Sequence, residues 1–178
     1  MRKRPRVLIL WGVPGVGKST YARWLRDDKD FTYIDTDSHG AGSGRIARAW
    51  RALLDGHSTP EQFMEVARYS PSPVVVEFGM YANPSGIAAL DRFRKAGAEA
   101  WWFDGNRDAA LVAWRAENVK GSRYFPTGDA RWHEVVGVIN ANAEQIHEFF
   151  GAHIVRTIEA GPVHIEPDVT FSQMFGES

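Results

Sequence analysis

The sequence of 178 residues has no cysteine, which excludes a disulfide framework, thiolate catalysis and cysteine-ligated zinc, and agrees with a reducing compartment. It has almost no net charge: 21 Lys and Arg against 22 Asp and Glu leave −1 at pH 7. No overall field therefore draws the chain to nucleic acid or acidic lipid, although a local basic patch is compatible with that balance. It also has no long apolar run. The basic start Arg2-Lys3-Arg4-Pro5-Arg6 leads into Val7-Leu8-Ile9-Leu10-Trp11 and then a glycine, too short for a secretory leader and far short of the roughly twenty residues of a membrane span. A cytoplasmic protein without a membrane partner is the expectation. The six histidines show no ligand spacing such as H-E-x-x-H, and no repeat or low-complexity tract is visible. At this length one domain with a substantial core is expected over 1–178.

What is present is a phosphate loop. Gly12-Val13-Pro14-Gly15-Val16-Gly17-Lys18-Ser19 satisfies G-x-x-x-x-G-K-[ST] without a mismatch. An apolar run precedes it, and Thr20-Tyr21-Ala22-Arg23-Trp24-Leu25 follows with large apolar residues at helical spacing. Strand, glycine loop and helix are the context in which the pattern becomes a phosphate site. Glycines let the backbone close around a phosphate with no Cβ in the way, and the following helix points its positive end at the same anion. The motif assigns Lys18 to the β- and γ-phosphates and the Ser19 hydroxyl to Mg2+, with Thr20 extending the first helical turn.

Further along, Phe31-Thr32-Tyr33-Ile34 reads as a second strand delivering Asp35 and Asp37 to its carboxyl end, where α/β sheets bind ligands. His39 to Gly44 holds three glycines and reads as a hinge. Ile46, Ala49, Trp50, Leu53 and Leu54 form a helical stripe with Arg45, Arg48 and Arg51 off it, read as a solvated face. Ser58-Thr59 offer caps for a helix from Pro60. Val74-Val75-Val76-Glu77-Phe78 is the signature of a strand covered on both faces, and Ala100 to Phe103 and His153 to Ile158 supply two more. Helices are expected around Ile87 to Phe93 and over Ala109 to Glu117. A basic loop spans Lys120 to Asp129, and one long helix is expected from Trp132 to Phe150. The apolar residues after Pro162 imply that the tail, 163–178, docks on the domain. Five strands alternating with helices predict an α/β fold, a five-stranded parallel sheet with helices on both faces.

This series resembles the small P-loop kinases, in the branch that includes shikimate kinase, gluconate kinase, polynucleotide kinase and the zeta-toxin-like and chloramphenicol-phosphotransferase-like proteins. The likeness covers roughly Arg6 to Pro162, and the phosphate loop is its specific motif. It implies ATP and Mg2+ as cofactors. It implies that a carboxylate after the second strand acts on the acceptor; Asp35 is assigned to the metal and Asp37 to the acceptor, roles that can be exchanged. Glu77 stands where relatives carry an acid near the metal. A short lid is implied at about 115–131, with Arg115 and Arg123 as the arginines that neutralise transferring charge and Lys120 as a weaker candidate. Glu159-Ala160-Gly161-Pro162 resembles the loop that passes over adenine.

Two functions fit these residues. One is a kinase that moves the γ-phosphoryl of a nucleoside triphosphate to a hydroxyl of a small acceptor, with a nucleic-acid end as a possible acceptor. The other is a nucleotide-binding switch in which the nucleotide orders the hinge and the basic loop and a partner senses the result.

Overall fold

The computed structural model describes residues 5–35, 44–119, 129–159, 161 and 163–176. Five strands, β1 (Val7–Gly12), β2 (Thr32–Ile34), β3 (Val74–Glu77), β4 (Glu99–Gly105) and β5 (Ile154–Ile158), pair in parallel in the order β2-β3-β1-β4-β5. Parallel neighbours require crossovers, and α1 (Lys18–Lys29), α2 (Arg45–Leu54), α3 (Pro60–Arg68), α4 (Pro84–Lys95), α5 (Arg107–Val119), α6 (Asp129–Ala141) and α7 (Ala143–Phe150) lie within them. The chain leaves β1 toward β2 on one side and leaves β4 toward β5 on the other. The carboxyl ends of β1 and β4 therefore bound a switch-point crevice, the place where open α/β sheets take ligands.

The register decides which large side chains share a layer. Trp11 on β1 is level with Trp102 on β4, and Gly12 with Phe103. Trp11 meets Trp102 and Phe78 edge-on, at centroid separations of 5.6 and 5.2 Å, and Phe150 of α7 closes against both tryptophans. Phe93 of α4 continues that layer to Trp50 of α2 and Phe63 of α3. On the opposite face Phe103 packs on Tyr21 of α1. Each aromatic pair adds about 0.5–1.5 kcal/mol beyond the area it buries.

Local chemistry sets the helix ends. Thr59 caps α3 through a capping box: its hydroxyl accepts the Gln62 amide N–H, and the Gln62 side chain accepts the Thr59 N–H at 2.9 Å. Asn83 caps α4 by accepting the Gly86 N–H at 2.9 Å. The expected single helix from Trp132 to Phe150 is in fact two, α6 and α7, broken at Asn142. The Asn142 side chain donates to the Val138 carbonyl at 2.8 Å, competing with the backbone, whose own N–H is shared between Val138 and Ile139.

The tail docks, as its apolar content implied. His164 bridges Ile158 in antiparallel fashion and the Ile165 N–H donates to the Thr157 carbonyl at 2.8 Å. The last helix, α8 (Pro167–Phe175), buries Phe171 against Trp24 of α1 and Phe175 against Trp101 of β4. The Lys29 ammonium lies 5.0 Å over the Phe171 ring. No helix among the described residues is long and apolar enough to cross a membrane.

Glu61 of α3 and Arg92 of α4 join their helices in a bidentate pair at 2.8 and 3.1 Å. Arg92, and after it the Thr59 hydroxyl, pull the Glu61 carboxyl from its ordinary 4.5 down to about 2. A folded-state value below the unfolded one contributes stability that is complete above the ordinary carboxylate range and is lost as pH falls through about 2. Carbon-detected NMR titration is expected to place the Glu61 midpoint near 2, and in Arg92→Gln to return it toward the ordinary range. An ordinary midpoint in the wild-type protein would show the pair to be open in solution.

Candidate active site

The loop Gly12 to Ser19 spans the end of β1 and the start of α1, as its spacing requires. Gly15 and Gly17 have φ of +84° and +86°, a conformation strained for any residue with a Cβ. A Cβ on Gly15 would also stand 2.1 Å from the Ala110 carbonyl oxygen of α5.

The loop's carbonyls are held from outside. The Pro14 carbonyl accepts the Trp132 indole N–H of α6 at 3.1 Å. The Gly15 carbonyl accepts from His164 Nε2 at 3.0 Å, and the Val16 carbonyl from the Thr157 hydroxyl of β5 at 2.6 Å. A trans peptide sets each carbonyl opposite the next residue's N–H. These three contacts therefore turn the N–H groups of Gly15, Val16 and Gly17 away from the supporting side chains. Successive amides oriented in this way, at a helix start whose first N–H groups have no intrahelical acceptor, make an anion cradle. Lys18 Nζ curls over the loop, 2.8 Å from the Val13 carbonyl oxygen.

Beside the loop stands a buried acid. Glu77 closes β3 and is only 8% exposed. Its Oε1 accepts the Ser19 hydroxyl and its Oε2 the Tyr33 hydroxyl, each at 3.1 Å. Burial first, then the charges of Glu77 and Asp35, push the Tyr33 phenol above its usual range, while Arg23 of α1 opposes them. Tyr33 thus stays a neutral donor. Asp35 follows β2 on the same sheet edge, close enough for its charge to act on Tyr33. The structure therefore brings Lys18, Ser19, Asp35 and Glu77 to one edge. Asp37, Lys120 and Arg123 lie outside the described residues.

Arg115 sits near the end of α5, within the helix expected from Ala109 to Glu117, and its guanidinium grips Asp129 at the start of α6 through Nε at 3.0 Å and Nη2 at 2.5 Å. The pair spans the two helix ends that flank the basic loop, so a role on transferring charge requires the pair to open. Close by, the Arg131 guanidinium stacks 4.7 Å over Tyr81, in the loop after β3, and pairs with Glu134, which also accepts the Tyr81 hydroxyl at 2.6 Å. A cavity of about 200 Å³ opens beside Gly17 and Thr20, walled by Tyr21, Thr157 and His164. Tyr33, Trp132, Thr157 and His164 were not singled out from the sequence as site residues. For Thr157 a signal existed, because a hydroxyl at an inward strand position needs a buried partner; for the others none did.

Hard oxygen donors at Ser19 and Glu77 suit Mg2+ held mainly by phosphate oxygens and water. Among the described residues no three His, Cys, Asp or Glu side chains cluster to hold a metal ion by themselves.

No family model matches the chain. The adenylate kinase of Natronomonas pharaonis is 35% identical over 111 residues, 62% of this chain and 50% of that protein, so the chain spans about half the length of the curated relative it matches. Among solved structures, a gluconokinase from Sinorhizobium meliloti 1021 superposes with a TM-score of 0.55 at 14% identity, covering 98% of this chain and 92% of that one. A shikimate kinase from Bacteroides thetaiotaomicron gives a TM-score of 0.44 at 15% identity, over 88% and 85%. The gluconokinase likeness shows the fold: an α/β protein with a five-stranded parallel sheet arranged as in that kinase. The resemblance noted in the sequence holds in both comparisons, in sequence to an adenylate kinase and in fold to a gluconokinase.

Gly15→Ala is expected to lower stability by more than about 1 kcal/mol, because φ is positive and the obstacle is backbone. That is a fall in melting temperature of at least about 2–4 °C by calorimetry. An unchanged melting temperature would show that the loop relaxes freely.

Proposed function

We propose that the protein is an ATP-dependent phosphotransferase that moves the γ-phosphoryl group, with Mg2+, to a hydroxyl of a small acceptor. The observation that carries it is the phosphate loop whose Ser19 hydroxyl lies 3.1 Å from the buried Glu77 carboxylate, with Lys18 on the same edge. The adenylate kinase and gluconokinase likenesses support the reaction class.

The loop amides grip the β-phosphate and Lys18 spans the β- and γ-phosphates, countering charge that grows on the bridging oxygen. Ser19 and Glu77 would hold Mg2+, which would neutralise phosphate charge when bound. The acceptor hydroxyl attacks the γ-phosphorus, the bond to the β–γ bridging oxygen breaks, ADP departs, and the acceptor's proton passes to a carboxylate, assigned to Asp37 with Asp35 near the metal. Tyr33 donates to Glu77 and keeps that carboxylate aimed at Ser19. The neutralising role is assigned to Arg123, while Arg115 joins the end of α5 to the start of α6 through Asp129. The nucleoside lies over the cavity beside Gly17 and Thr20, next to the loop after β5.

In an assay of γ-phosphoryl transfer from ATP against a panel of sugars, nucleosides and hydroxy acids, Lys18→Ala is expected to reduce product formation at least about 100-fold. Glu77→Gln should raise the Mg2+ concentration needed for half-maximal rate while melting within a few degrees of wild type. Absence of product with every hydroxyl acceptor, alongside tight ATP uptake, would turn the reading to a nucleotide-dependent switch.

A further inference from the structure

His164 is unclaimed by the phosphoryl-transfer reading. It belongs to the tail, far in sequence from the loop, yet its ring lies against the loop: a Cβ added to Gly17 would meet its Cδ2 at 2.8 Å, and its Nε2 is 3.0 Å from the Gly15 carbonyl oxygen. A carbonyl only accepts, so Nε2 carries the hydrogen and donates. The ring's position is set by two anchors. The bridge between His164 and Ile158, with the Ile165 to Thr157 bond, fixes the backbone. Behind it α8 is held by Phe171 on Trp24 and Phe175 on Trp101.

We propose that His164 is a positioning residue for the nucleotide, through which the docked tail orders the phosphate loop. The inference rests on the nucleotide reading. Holding the Gly15 carbonyl outward turns the Val16 N–H to the concave side of the loop, where a phosphate oxygen accepts it. Trp132 and Thr157 hold the neighbouring peptides, but they belong to the sheet and its packed helices and are in place whenever the core is folded. His164 depends on the tail, so tail docking and nucleotide binding are linked and each strengthens the other.

Calorimetric titration of Mg-ATP into wild type, His164→Phe and His164→Gln separates donor from packing. Phe keeps a ring and loses the donor; Gln keeps an amide N–H at a similar reach. ATP affinity is expected to fall about five- to tenfold in His164→Phe and to stay within about threefold in His164→Gln, with melting temperatures close to wild type. Wild-type affinity in His164→Phe, or equal losses in both variants, overturns the proposal while leaving the nucleotide reading intact. Uptake of no ATP by wild type overturns both. Should His164→Phe fail to fold, amide exchange on wild type decides: Mg-ATP should slow exchange across residues 163–176 at least about threefold, and an unchanged rate overturns the proposal.

Discussion

A backbone that must present several N–H groups to one anion has to dispose of the carbonyls between them, and in this protein that requirement is met by side chains from three distant parts of the chain. Trp132, His164 and Thr157 donate to the carbonyls of Pro14, Gly15 and Val16 respectively. A glycine-bearing loop left alone would spread over many conformations, because ordering a residue costs on the order of 1–2 kcal/mol in backbone entropy. Here much of that ordering has already occurred on folding. The partners lie 118, 149 and 141 residues away, so the loop is complete only when β5, α6 and the tail have assembled around it.

The second constraint is electrostatic. A carboxylate as buried as Glu77 is costly unless hydroxyl or amide donors replace water. Ser19 and Tyr33 do so, and the same contacts aim the acid at the end of the phosphate loop. An acid that served only to end a strand would face solvent. Its burial beside the loop's hydroxyl is the observation on which the proposed metal-assisted transfer rests. Tyr33, with its phenol held neutral by burial and by two nearby carboxylates, remains a donor throughout the pH range in which proteins work.

The aromatic layers explain why the site sits where it does. Trp11 is the penultimate residue of β1, and its contacts with Trp102, Phe78 and Phe150 pin the strand's carboxyl end against β4, the end of β3 and α7. Its indole N–H donates to the Met80 carbonyl at 2.8 Å, tying the loop after β3 to the same place. On the other face Tyr21 and Trp24 of α1 stack together and meet Phe103 and Phe171. The helix that opens with Lys18 and Ser19 is thereby clamped between the sheet and the tail.

The strands, most helices and the phosphate loop were legible in the sequence because each follows from local chemistry: alternation and apolar runs for strands, helical stripes, caps such as Thr59, and a loop whose glycines, lysine and serine have separate reasons to be there. The order β2-β3-β1-β4-β5 and the register that sets Trp11 beside Trp102 were not, since pairing is decided between segments far apart. The break at Asn142 was hidden because the stripe on either side stayed in phase, while one side chain captured a carbonyl. Asp35 and Glu77 could be named from strand ends and Ser19 from the loop motif, but Tyr33, Trp132 and His164 could not, as their side chains carry no spacing that reveals a distant carbonyl or carboxylate. The sequence by itself determined that a phosphate loop joins a strand to a helix in an α/β protein. Only the tertiary structure decided which side chains hold that loop, because hydrogen-bond partners of this kind are selected by proximity in space.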